Sequence, residues 1–336
     1  MKIQTLILTL VWMLTIPICA NADSALMHTS GNVEVSVTDF GSLGAVRNGQ
    51  VAPNFKFPKA GNIYYLHQWS EIWVGDAKGN VASAWDLTSS GLAFGNWATT
   101  ATGAINERTE PDGRQNITAQ YDSSRTPGFP LKILVDQQSF SWNPSNTPNT
   151  DDFIVIKLIV TNNSDIELTG IYIAIIANWD VDRTAAGQLS QDWVDWDEKR
   201  HTLFTYDGDD TDGTSPVYTG LTLLDGKLRA HQIFTFFNLN RQLDSRLFLD
   251  SFRSRLMDDS TIAATNKQDL EGLGLTPWDY ASIISAGPYD IKAKNFVTVT
   301  FALAAGENLA DLQKNVDAAR QISYAPQRLA AAGLSG

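Results

Sequence analysis

The sequence predicts a mostly β protein: a large antiparallel β-sandwich with two or three peripheral helices, one of them at the C-terminus. Three observations predict it. Apolar and polar residues alternate with period two along most of the chain beyond residue 22, the pattern of strands with one buried face. These strands are short and separated by turns rich in Gly, Asn, Asp and Pro, at the spacing of a sandwich. The 336 residues are 43% hydrophobic and only 18% charged, which supplies the apolar surface that a core of this size requires.

In chain order, residues 1–22 (MKIQTLILTLVWMLTIPICANA) read as a secretory signal peptide. Lys2 is the positive end, Ile3 to Ile18 the apolar stretch, and Ala20-Asn21-Ala22 the small-x-small cleavage signal. Interruptions by Thr and Gln leave the apolar run short of the roughly 20 residues that a membrane span needs. A lipid anchor on Cys19 is disfavoured because Ile18 precedes it where a small residue is wanted. Cleavage after Ala22 would leave 314 residues without cysteine, so no disulfide could brace the fold. The formal charge of −12 becomes −13 once Lys2 is removed. An acidic chain of this kind is a poor partner for nucleic acid, which is bound through basic faces.

Val33 to Val37 alternates cleanly. Glu71 to Val74 and Val81 to Trp85 flank the turn Gly75-Asp76-Ala77-Lys78-Gly79-Asn80 and predict a hairpin. Leu131 to Trp142 and Phe153 to Thr161 follow, joined by the Pro- and Asn-rich stretch 143–149. Ile171 to Ala177 is nearly continuous in apolar residues, as expected of a strand covered on both faces. Leu203 to Tyr206, Val217 to Leu224, Ile233 to Phe237 and Phe296 to Leu303 complete the strands. Leu243, Leu247, Phe248 and Phe252 share one face of a helix over 241–257. Leu309, Leu312, Val316 and Ala319 do the same over 308–322, with Asn308 as N-cap and Pro326 beyond the end. One domain over 23–325 is expected, with two packed sub-sandwiches dividing near 145–150 as the alternative and a flexible tail over 326–336.

Residues 180–212 are the anomaly. They hold ten acids against Arg183, Lys199 and Arg200, a local balance of −7. Asp180 and Asp182 emerge at a strand end and point to one side of an extended chain. With Asp195, Asp197, Asp207, Asp209 and Asp212 they form the candidate ligand set for a structural Ca2+, which takes six to eight oxygen ligands. The stretch from Asp207 is no EF-hand: Asp212 stands where that loop needs Gly, and Tyr218 where it needs Glu. Trp193 and Trp196, set among these acids, are the candidate ligand-binding aromatics, since rings beside carboxylates suit the apolar faces and hydroxyls of sugars. A catalytic carboxylate pair of the glycosidase type would need a separation that spacing alone does not supply. No GxSxG, HExxH, P-loop or GxGxxG pattern is present, and His28, His67, His201 and His231 lack metal-ligand spacing.

Three stretches resemble a region found in exported bacterial proteins, often large ones that carry a C-terminal sorting module. The first is Val37 to Gly44 with Phe57-Pro58 and Ile72 to Gly75. The second is Phe153 to Asn162, then Leu168 to Tyr172 and Asn178-Trp179-Asp180-Val181-Asp182. The third is Ser285 to Asp290, the strand to Leu303, Gly306 and the closing helix. The resemblance implies an extracellular β-sandwich, names no catalytic residues, and has Asn178 where an acid is expected. The chain is therefore expected to be an exported, secreted or periplasmic, non-catalytic interaction or cell-surface module, with Ca2+ as the one cofactor and an extracellular protein or glycan as partner. The alternatives are a carbohydrate-binding or carbohydrate-active protein and a subunit of an extracellular assembly.

Overall fold

Successive side chains of a strand point to opposite faces, so an alternating sequence becomes stable only when its apolar face meets another layer. In the computed structural model two antiparallel sheets meet in this way. The structure describes residues 24–331 apart from 45, 48–49, 52–54, 61–69, 89–90, 146–148, 182–190, 209–214, 236–244 and 260–262, so the signal-peptide segment 1–22 lies outside the described residues.

The first sheet runs in the order β1 (Ala25–His28), β2 (Val35–Thr38), β3 (Ser42–Leu43), β6 (Ser70–Asp76), β15 (Leu168–Asn178), β20 (Tyr280–Ile291) and β19 (Leu228–Thr235), with β7 (Val81–Ala82) paired to β6. The second runs β10 (Ala98–Thr99), β12 (Gln115–Asp122), β13 (Ile133–Ser141), β14 (Phe153–Asn162), β21 (Phe296–Gly306), β18 (Tyr218–Asp225), β17 (Thr202–Asp207) and β16 (Asp192–Asp197), with β11 (Asn106–Thr109) on β12. Two small hairpins pair β4 (Val46–Arg47) with β5 (Gln50–Val51) and β8 (Trp85–Thr88) with β9 (Gly91–Phe94). The stretch 143–149 joins β13 to β14, neighbours in one sheet that pair from Ile133↔Asn162 to Phe140↔Val155. Both sheets draw strands from either side of residues 145–150.

Three apolar layers follow from the alternation. Between the sheets, Ile171, Ile173, Ile175 and Ala177 of β15 meet residues such as Ile154, Ile156, Leu158 and Phe301. The intervening Tyr172, Ala174 and Ile176 turn to the other side, where α1 (Asp250–Asp258) covers them with Leu256 and Met257. The continuous apolar run is thus a strand sealed on both faces. On the far side of the second sheet, Phe153, Phe204, Ala302 and Ala304 lie beneath Leu312, Val316 and Ala319 of α3 (Leu309–Ala331).

The expected hairpin closes where Asp76 Oδ1 accepts the amides of Lys78 and Asn80, each at 3.0 Å, an Asx-type turn that Gly79 completes at φ 93°. Asn308 caps α3 as anticipated: its Oδ1 accepts the Asp311 amide at 3.0 Å, while Asp311 Oδ2 accepts that of Glu307 at 3.2 Å. A Cβ on Gly306 would sit 2.3 Å from the Leu312 amide nitrogen, so only glycine lets the helix fold back this tightly. Three boundaries differ from expectation. The helix anticipated over 241–257 is a 3-10 turn at Ser245–Phe248 followed by α1. The closing helix, expected over 308–322, runs over Leu309–Ala331 and includes Pro326. A third helix, α2 (Lys267–Gly272), capped by Asn266, is too short to show a period.

Trp97 is fully buried, donates its indole N–H to the Ile72 carbonyl at 3.0 Å and packs edge-on to Tyr121 at 5.3 Å. Trp97→Ala is expected to lower the urea-unfolding free energy by about 3–5 kcal/mol. Ile166→Ala, at a side chain 69% exposed, should stay within about 0.5 kcal/mol at an unchanged m-value.

Candidate functional site

The acid-rich region occupies one end of the sandwich. Register pairs Asn178 of β15 with Ala281 of β20, and continuing it by two residues sets Asp180 opposite Asp279. Both are buried. Burial first, and then the negative charge of Asp180, push the Asp279 carboxyl up to about 7, while its hydrogen bond with the Asn178 side chain opposes the shift. Asp192 closes the same corner: its backbone exchanges hydrogen bonds with Trp278 at 3.2 and 3.1 Å, and its Oδ2 accepts the Val181 amide at 3.1 Å. What this corner can do chemically is hold a proton near neutrality.

The other described acids of the expected ligand set go elsewhere. Asp195 Oδ1 accepts the amides of Trp196 at 2.8 Å and Lys267 at 3.2 Å. Asp197 pairs with Arg200 at 2.9 Å and accepts Gln313 Nε2 at 3.0 Å. Asp207 accepts the Ser215 amide at 2.6 Å. Asp182, Asp209 and Asp212 lie outside the described residues. Among the described residues no group of three Asp, Glu, His or Cys side chains is placed to hold a metal ion.

The candidate aromatics are half-buried against the inter-sheet core. Trp193 carries the Lys267 ammonium 4.8 Å from its ring, a cation–π contact. Trp196 stacks on His231 with centroids 3.7 Å apart and donates its N–H to Glu198 at 2.6 Å. Burial lowers the His231 pKa, against the opposing pull of Glu198, which keeps that ring neutral and stackable. Protein groups therefore already occupy a face of each ring.

A second candidate lies on the outer face of the second sheet, at the border of α3. Register lines up Thr118, Gln138, Lys157 and Thr300 side by side across β12, β13, β14 and β21. The next row along that face is Asn116, Phe140, Val155 and Ala302. At about 4.8 Å per strand, four residues abreast span about 14 Å. Two adjoining hollows follow these rows, one of about 520 Å³ towards β11 and one of about 210 Å³ towards α3, with Arg114, Gln138 and Phe140 common to both.

The walls are pre-set by local chemistry. The Arg114 guanidinium lies 5.0 Å over the Phe140 ring and pairs with Asp112 at 3.5 Å. Glu110 accepts Asn116 Nδ2 at 2.7 Å and pairs with Arg108 at 2.7 Å; these donors, Asn116 first, hold its carboxyl below the usual range. Asn116 is 4% exposed, yet its Oδ1 has no hydrogen-bond partner among the described residues. Leaving such an acceptor unmet costs about 1–3 kcal/mol. Spacing and composition did not single out these residues. The usable signal was Phe140 following Asp136 and Gln138 on the outward positions of β13.

The sequence matches no protein-family model and no curated protein. Solved structures match in outline at low similarity. A polysaccharide lyase aligns over 84% of this chain and 34% of its own length, with 10% identity and a TM-score of 0.36. A protein from Synechocystis sp. PCC 6803 aligns over 84% of this chain and 95% of its own, with 8% identity and a TM-score of 0.39. A candidate aldose 1-epimerase from Escherichia coli K12 aligns over 84% and 99%, with 9% identity and a TM-score of 0.41. This chain thus spans about a third of the lyase. Among the described residues no helix is long and apolar enough to cross a membrane.

The buried Asp279 carboxyl gives a pH dependence opposite to that of an ordinary carboxylate. Its folded pKa, about 7, is raised above its unfolded value near 3.8, so between those values the folded state holds more protons. Its contribution to stability is present at acid pH and is lost as pH rises towards 7. Asp279→Asn should flatten this fall in the unfolding free energy, followed by urea titration from pH 4 to pH 8. An unchanged slope would show that the carboxyl titrates normally.

Proposed function

We propose that the protein is an exported carbohydrate-binding β-sandwich that receives a glycan chain in the polar groove across β11, β12, β13, β14 and β21. The observation that carries this reading is the outward row of Thr118, Gln138, Lys157 and Thr300 beside the Arg114-covered Phe140 ring. Sugars present many hydroxyls, each both donor and acceptor, around apolar C–H faces. Planar polar side chains held rigidly by a sheet match them without a large entropic loss. Asn116, Gln138 and Arg114 are of this kind, and the Phe140 edge and Val155 supply the apolar strip. The width of the rows suits an extended chain of a few sugar rings better than one small molecule. Export follows from the leader-like residues 1–22.

This reading assigns binding without turnover, in keeping with the absence of catalytic motifs in the sequence. A glycan array followed by calorimetric titration tests it. The wild type is expected to bind an oligosaccharide, and Asn116→Ala to bind it roughly tenfold more weakly, the equivalent of about 1.4 kcal/mol. Gln138→Ala should act in the same direction with an unchanged thermal midpoint. A protein that binds no glycan, or an Asn116→Ala variant that binds as well as wild type, would overturn the proposal.

A further inference from the structure

We infer that the end of this groove nearest α3 selects an acidic sugar residue, one that bears a carboxylate or sulfate group; the inference rests on the carbohydrate reading above. The 210 Å³ hollow there is lined by two cations, Arg114 and Lys157, together with Gln138, Thr300 and Ser323, and by no acidic side chain. In a chain with 37 acids and 25 bases, a pocket with two cationic and no anionic walls is a local reversal of charge.

Lys157 is the decisive residue. It lies mid-strand on β14, between Gln138 and Thr300 in register, half-buried beside Phe140 and Trp142. A lysine in that setting would normally have a carboxylate within reach. Among the described residues its ammonium makes neither an ion pair nor a hydrogen bond, while Arg114 pairs with Asp112 at 3.5 Å. Arg114 and Lys157 line the same hollow, so an anion seated there would meet both cations. The Gln138 amide and the Thr300 hydroxyl likewise make no side-chain hydrogen bond among the described residues, so they remain available to the ring hydroxyls beside that anion. Ser323, whose hydroxyl donates to the Arg320 carbonyl at 2.9 Å, closes the α3 side. The hollow is short and lies at one end of a longer trough, which places one charged ring at the terminus of a bound chain whose other rings meet Asn116 and Thr118.

The test compares three ligands, an oligogalacturonate, a sulfated oligosaccharide and a neutral oligosaccharide of equal length, against wild type, Lys157→Gln, Lys157→Arg and Asn116→Ala. Wild type is expected to bind at least one acidic ligand about tenfold more tightly than the neutral one at low ionic strength, and the margin should shrink as salt screens the pair. Which acidic ligand it prefers separates carboxylate from sulfate. Lys157→Gln should erase that margin and leave neutral binding unchanged, Lys157→Arg should keep most of it, and Asn116→Ala should weaken all ligands alike. Equal affinity of wild type for acidic and neutral ligands, or a Lys157→Gln variant with the margin intact, overturns this inference while the carbohydrate reading stands. No binding to any of the three by wild type overturns both.

Discussion

The structure depends on one constraint: its central strands are apolar on both sides, and each side has to be covered. In the first sheet β15 hides Ile173 and Ile175 between the sheets and Ala174 and Ile176 beneath α1. In the second, α3 covers the outer face of β14, β17, β18 and β21 over Phe153, Phe204, Ala302 and Ala304. Helical cover is therefore partial by composition. Where the outward residues change from Val155 and Ala302 to Lys157 and Thr300, cover ends, and there the groove begins. The glycine at 306 and the capped start of α3 fix that border, because they set the angle at which the helix returns over the sheet.

Buried ionisable groups report the same layering in electrostatic terms. His28 is fully buried with its two ring nitrogens 2.9 and 2.8 Å from Ser141 and Ser139, and burial holds its pKa down to about 3. Its folded value lies below its unfolded one, so its contribution is present above pH 6.5 and is lost on acidification. Glu71 is the reverse case. Burial pushes it up to about 7 even though its carboxylate accepts the amides of Ala84 and Trp85 at 2.8 and 2.9 Å, so it acts in the same direction as Asp279. These opposed terms overlap between pH 4 and pH 7, and they confine the window of greatest stability from both sides.

Local pattern made much of the fold legible. The two-sided burial of Ile171 to Ala177, the Asp76–Asn80 turn and the Asn308 cap are properties of consecutive residues, and the structure has each of them. Register, by contrast, is long-range. Asp279 stands 99 positions from Asp180 and has no acidic neighbour, so nothing local announces that antiparallel pairing of β15 with β20 sets the two face to face. The row Thr118, Gln138, Lys157, Thr300 was hidden for the same reason: its members are ordinary outward strand residues until four strands align. Among the described acids of 180–212, Asp195, Asp197 and Asp207 lie near one another in sequence yet accept from separate donors.

The charge distribution links these two regions. In the 180–212 segment Asp197 pairs with Arg200, and Arg200 also reaches Asp317 on α3 at 2.8 Å. That contact belongs to the half of the outer face which α3 covers, whereas Arg114 and Lys157 stand on the half it leaves open. Among the described residues Asp197 and Asp317 share Arg200 on the sealed half, while on the open half Arg114 keeps Asp112 and Lys157 makes no ion pair. An anion approaching the sandwich is repelled by the net field at long range, but that field is screened beyond roughly 8–10 Å at physiological salt. At contact the local cations decide, so this arrangement favours a ligand whose charge is confined to one end and whose remaining length is held by neutral hydrogen bonds.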